Sequence, residues 1–131
     1  MNPTILMYNF DKDKARKIQF LCLQMKFRIK TISKEDYLKP IGLLLNSSKP
    51  KEEELYDGDG FSQEMLVMSA LSDNQLNTFL MSFKKQNIPF INLKAIVTPD
   101  NISWNSIELY QELTAEHEAI SNQAIATKKE S

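Results

Sequence analysis

Sliding the sequence along itself by 61 positions brings Ile5 onto Leu66, Phe10 onto Leu71, Asp11 onto Ser72, Ala15 onto Leu76, Ile18 onto Phe79 and Ile32 onto Leu93. At these positions a strand ends, a helix is capped and that helix buries its stripe. A chain with such a register has few ways to fold. Each half reads as a strand, a capped helix and a second strand, followed by a further helix.

The local signals agree with this division. Thr4 to Asn9 and Met65 to Met68 are short continuous apolar runs, the pattern of strands buried on both faces. Asp11 is placed to cap a first helix with Phe10 and Ala15 as its staple, and Ala15, Ile18, Cys22 and Met25 form its buried stripe. Ser72-Asp73-Asn74-Gln75 is a capping box stapled by Leu71 and Leu76, and Leu76, Phe79, Leu80 and Phe83 follow at helical spacing. Lys26 to Ile32 alternates basic with mostly apolar residues, and Pro89 to Val97 sets Asn92 and Lys94 on one face. Both read as edge strands.

Strands one and three therefore belong in the centre of one four-stranded sheet. Two arrangements satisfy this: an α/β parallel sheet ordered 2-1-3-4 with helices on both faces, and an antiparallel α+β ferredoxin-like sheet ordered 4-1-3-2 with an extra C-terminal helix. A helix expected between Glu35 and Leu45, with Pro40 in its first turn, favours the first, because a parallel neighbour needs a crossover. The 131 residues make one domain. Residues 1–45 form the first half with its short helix, 46–63 a mobile loop, 64–120 the second half with a C-terminal helix, and 121–131 a frayed tail. Ile102 and Ile107 would staple that last helix around Ser103 as its cap.

Composition excludes several classes. No apolar run approaches the roughly 18 residues of a membrane span, and no signal peptide is evident, so a cytoplasmic location and no membrane partner are expected. Cys22 is the only cysteine, which leaves no intramolecular disulfide and no all-cysteine metal site. Residues 1–50 hold ten Lys and Arg against four acids, and residues 51–131 hold six against thirteen. The charge is thus divided between the halves. Asp57-Gly58-Asp59-Gly60 begins like a calcium loop, but Phe61 and Ser62 stand where a ligand and a glycine belong. His117-Glu118 begins the HExxH zinc motif, but the chain has one histidine. No catalytic residues, metal or cofactor are expected. His117 falls on the apolar stripe of Tyr110, Leu113 and Ile120, which suggests a buried histidine.

Glu64-Met65-Leu66-Val67-Met68, Leu93 to Pro99 with Asn101 and Trp104, and Glu112-Leu113 with Glu116-His117 resemble a family of small bacterial proteins known as domain of unknown function 3783. A looser likeness extends to Leu6-Met7-Tyr8-Asn9 and to Gly42 through Leu45. The resemblance implies a bacterial, cytoplasmic protein and brings no activity or catalytic residue with it.

Two functions are carried forward. The first is a non-catalytic binding or regulatory module acting through protein contacts, as a homodimer or with another protein. Phe20 and Met81 coincide under the 61-residue shift, and each lies opposite its own helix's buried stripe. The second is a small-ligand or enzymatic site where parallel strands would gather Asn9, Ser69, Thr98, Asn101 and Trp104 at their carboxyl ends, with Lys94 in reach. The reading leans away from an enzyme. Nucleic-acid binding through Lys26, Arg28 and Lys30 with Lys12, Lys14, Arg16 and Lys17 is disfavoured by the acidic second half and the lack of an RRM-like aromatic signature.

Overall fold

The computed structural model describes residues 2–46 and 56–130, with side chains as far as residue 118. In chain order the elements are β1 (Thr4–Tyr8), α1 (Lys12–Met25), β2 (Arg28–Thr31), a 3-10 turn (Lys34–Asp36), α2 (Ile41–Asn46), β3 (Met65–Ser69), α3 (Asp73–Lys85), β4 (Leu93–Ile96), a second 3-10 turn (Asn101–Ser103) and α4 (Ser106–Glu130). The Ser47 to Leu55 part of the expected loop lies outside the described residues. The expected frayed tail is helical backbone as far as Glu130.

The sheet has the order β2-β1-β3-β4, with both continuous apolar strands at its centre. Within each half the strands are parallel, Thr4 opposite Arg28 and Met65 opposite Leu93. The all-parallel expectation fails at the central pair: β1 and β3 run antiparallel, with Ile5 opposite Met68 and Tyr8 opposite Met65. The reason lies in the connection from β2. It contains a helix, as expected, but the chain turns back on itself, since Tyr56 N donates to Glu35 O at 3.0 Å. An excursion that returns leaves β3 starting at the end where β2 stopped, so a helical connection does not enforce a parallel neighbour.

Alternation along the central strands fills both faces. Ile5, Met7, Leu66 and Met68 pack with Ile18, Leu21 and Cys22 of α1 and Phe79 and Phe83 of α3. Leu6, Tyr8, Met65 and Val67 face the other way, toward Tyr37, Ile41 and Leu44, and Leu109 of α4. Helices therefore cover both faces.

The 61-residue spacing extends into backbone conformation. Asn9 and Ala70 both adopt φ 63°, and Lys26 and Asn87 adopt φ 61° and 56°. Asp11 accepts from Lys14 N, and Ser72 from Gln75 N within a complete capping box. The amides of Phe27 and Ile88 bond Cys22 O and Phe83 O. The correspondence then lapses, because β2 starts at Arg28 and β4 at Leu93. By strand register Leu93 is thus the counterpart of Arg28 and not of Ile32. Pro89-Phe90-Ile91-Asn92 are the additional residues, and lysine ammoniums hold the carbonyls around them: Lys14 on Phe90 at 3.2 Å, Lys94 on Ile91 at 2.8 Å and Lys17 on Asn87 at 3.0 Å.

Part of the expected mobile loop belongs to the core. Phe61 is buried between the rings of Tyr37, at 4.7 Å between centroids, and Tyr110, at 4.1 Å with 5° between planes. The turn before it needs Gly60, whose φ is +64° and whose added Cβ would lie 2.9 Å from the Tyr37 ring. Phe61→Ala should lower stability by about 3–5 kcal/mol, as for other large aromatic truncations in cores. Chemical denaturation checks this, and a loss within the range of an exposed loop substitution would contradict the packing. Cys22 is a small core residue whose thiol burial pushes up to about 12. Near neutral pH it should resist thiol reagents until the protein unfolds.

Candidate functional site

The antiparallel centre separates the residues that a parallel sheet would have gathered. Asn9 follows β1 at one end of the strands, whereas Ser69 closes β3 and Thr98 follows β4 at the opposite end. Asn9 is occupied there: its amide donates to Phe61 O at 2.8 Å and Gln63 O at 3.1 Å, and its Oδ1 accepts from the Tyr37 hydroxyl at 3.4 Å. It ties the segment entering β3 to the end of β1.

At the other end, Ser69 is buried and borders a small cavity of about 210 Å³ with Thr4, Arg28 and Asn46. Thr98 and Asn101 satisfy each other. The Asn101 Oδ1 accepts from Thr98 N at 2.8 Å, the Thr98 Oγ1 accepts from Asn101 N at 3.1 Å, and the Asn101 amide donates to Ile96 O at 3.0 Å. These bonds build a turn and leave little for a ligand. Trp104 is half-buried against the α4-side core, and its carbonyl accepts from Ile41 N at 2.8 Å, which docks α2 onto the corner. The cap of α4 is Asn105, not Ser103: Asn105 Oδ1 accepts from Glu108 N and Glu108 Oε1 accepts from Asn105 N. Ser103 falls in the preceding 3-10 turn.

Lys94 does not reach this corner. It points to the α1–α3 side, and its ammonium lies 3.9 Å above the Phe90 ring. Desolvation, and then the neighbouring Lys14, lower its pKa from the ordinary lysine value. Lys14 is buried and paired with Glu64 at 2.6 Å. The six residues therefore form no common pocket.

A different concavity emerges where Asn9 and the 62–64 segment meet α4. A groove of about 500 Å³ is bordered by Gln63, Glu64, Asn92, Tyr110, His117 and Glu118. The Tyr110 hydroxyl donates to Gln63 Oε1 at 2.8 Å, which fixes one wall. His117 is exposed at this groove, contrary to its expected burial. Tyr110 and Leu113, earlier on the same stripe, are half-buried, so cover decreases along the helix before His117. Periodicity registers the face of a helix but not where its cover ends. Among the described residues no group of three or more His, Cys, Asp and Glu could hold a metal ion. The Glu64 carboxylate is engaged by Lys14, and the Thr114 hydroxyl on the groove's wall donates to the Tyr110 carbonyl at 3.0 Å. Nothing in the sequence pattern signalled this groove, since its walls come from three separate segments, 62–64, 92–93 and 110–118.

The outward side of the α1–α3 layer is the other notable surface. Phe20, Leu23 and Met81 are 56%, 75% and 66% exposed, so Phe20 and Met81 do lie away from the core and Leu23 joins them.

Residues 64–120 match the model of a family described as "Domain of unknown function (DUF3783)". That segment belongs to this family. It comprises β3, α3 and β4 with the first part of α4, and so contributes Met81 to one surface and most of the groove to the other. No curated protein and no solved structure matches the chain. No helix among the described residues is long and apolar enough to cross a membrane.

Asn101→Ala should lower stability by about 1 kcal/mol, since it removes bonds at both ends of the turn. The same substitution at a site residue would instead leave stability unchanged, a difference that thermal unfolding resolves.

Proposed function

We propose that this protein is a non-catalytic binding or regulatory module acting through protein contacts, and that the outer side of α1 and α3 is its contact face. The observation that carries the reading is the exposure of Phe20, Leu23 and Met81, three large apolar side chains directed away from a core that is complete without them. Single exposed apolar residues are ordinary; three on one helical layer, two of them at corresponding positions of the two halves, make a patch suited to contact. With this reading go a bacterial and cytoplasmic setting, as the family resemblance implies, and derivation of the two halves from one repeated unit. A second copy of the chain or a different protein satisfies it equally.

The double variant Phe20→Ser/Met81→Ser tests the face. Wild-type protein should either self-associate in light scattering or capture a partner from the extract of its source, and the variant should lose that behaviour while its melting temperature stays within a few degrees. A strict monomer at all concentrations with no partner recovered would sink the proposal.

A second reading, a small polar ligand in the groove, is favoured by the fixed Gln63–Tyr110 wall and by the exposed His117 beside it. Ligand-induced shifts of Tyr110 and His117 resonances in a screen of polar small molecules would support it, and their absence would remove it.

A further inference from the structure

The contact face just proposed has a chemistry of its own, and the following rests on that proposal. On α1 with its two cap residues and on α3, the exposed cations are Lys12, Arg16, Lys17, Lys26, Lys84 and Lys85, and the exposed carboxylates are Asp11, Asp13 and Asp73. Six against three leaves a surplus of three positive charges on the layer that carries Phe20, Leu23 and Met81. Across the sheet the balance reverses: α4 exposes Glu108, Glu112, Glu116 and Glu118, and residues 98–118 contain no Lys or Arg. The α1–α3 layer is thus net positive and α4 net negative, while Lys30 and Lys39 of the basic first half lie on the α2 and α4 side of the sheet.

We infer that the α1–α3 face receives an acidic amphipathic helix of a partner protein. Complementarity of charge selects the sign: an approaching acidic segment is repelled from the α4 side and drawn to the α1–α3 side, which steers the encounter. The apolar residues select the form. A helix with one apolar stripe buries Phe20, Leu23 and Met81 while its flanking carboxylates meet the lysines, the helix-on-surface mode of peptide recognition. Two packed helices also offer the ridges against which a third helix packs, and Gln24 and Gln86 join the layer by a hydrogen bond of 2.9 Å. Methionine suits such a surface because its flexible side chain adapts to the partner.

Two other occupants fit less well. A two-fold dimer through this face would oppose two positive surpluses. A nucleic-acid backbone would meet the lysines and leave the apolar residues uncovered. An anionic bilayer would be attracted by the lysines in the same way, and competition with vesicles decides between it and a helix.

The test uses the full chain with two labelled synthetic helices, one with a leucine stripe flanked by glutamates and one with the same stripe flanked by lysines. Fluorescence anisotropy should give saturable binding of the acidic helix, weakening as salt rises. Lys84→Glu/Lys85→Glu should reduce affinity by about tenfold, chiefly through the association rate. Phe20→Ser/Leu23→Ser should reduce it without changing the salt dependence. All four substitutions are on the surface, and melting curves verify that the variants fold. Equal binding of the lysine helix, no saturable binding of either, or displacement of the acidic helix by vesicles of phosphatidylglycerol and phosphatidylcholine would overturn the inference. The two proposals fail separately. If a natural partner is lost with Phe20→Ser/Met81→Ser but is indifferent to salt and to Lys84→Glu/Lys85→Glu, the contact face stands and its preference for acidic helices falls.

Discussion

The antiparallel ladder between β1 and β3 is the constraint on which the rest of the molecule depends. Each strand is buried throughout and pairs on both edges, so neither can shift by a residue without turning its apolar side chains to the wrong layer. Because the two halves meet head to tail, α1 and α3 share one face. The carboxyl end of β1 also lies beside the amino end of β3. This places Asn9 next to residues 61–63 and far from Thr98, and the bonds from Asn9 to Phe61 and Gln63 follow from that proximity. A parallel centre would have produced the familiar crevice at the strand carboxyl ends. Here the same residues become turn and junction hardware.

The second face is assembled around a run of tyrosine and phenylalanine rings, where the first combines aliphatic side chains with Phe27, Phe79 and Phe83. Tyr8 at the end of β1 meets Tyr37 at 5.7 Å and Phe61 at 5.8 Å, and Phe61 stacks on Tyr110 of α4. The Tyr8 hydroxyl and Ser106 Oγ share a buried hydrogen bond of 2.7 Å, which anchors the start of α4 to the central strand. Burial raises the Tyr8 phenol above its ordinary value, and the Ser106 bond opposes that shift only in part. The phenol stays protonated under ordinary conditions. These contacts add to the apolar residues that α2 and α4 contribute, and fix both helices and the segment at Phe61 to the sheet.

Much of this fold was legible in the residues because its signals are local. Caps, staples and continuous apolar runs identify both strand-helix units, and their spacing places β1 and β3 in the centre. Two features were not legible because they depend on distant return paths. The sense of β3 follows from where the chain comes back at Tyr56 and Glu35, and no periodicity within residues 32–64 encodes that. The core role of Phe61 was hidden for a similar reason: a single aromatic residue in a stretch of Gly, Asp and Ser has no pattern to announce it. At the candidate site the failure has a different origin. Asn9, Thr98 and Asn101 are residue types that suit ligands and turns alike, and in each case hydrogen bonds to the backbone use up the polar atoms. His117 was misplaced because the spacing that puts a residue on an apolar stripe does not reveal whether the core extends that far.

The two surfaces that remain differ in what the fold itself requires of them. In the groove, Tyr110 stacks on Phe61 and bonds Gln63, and Glu64 neutralises the buried Lys14. Each of these has a structural task, so its presence says little about a ligand. Phe20, Leu23 and Met81 have no such task, and leaving them in water is unfavourable to solubility. The cations around them outnumber the carboxylates of the same layer, Asp11, Asp13 and Asp73, while four further carboxylates stand on α4, beyond the sheet. A fold selected only for stability would mix these charges. Their segregation, together with apolar side chains that the core does not use, is the arrangement expected where a partner supplies both the missing cover and the missing negative charge.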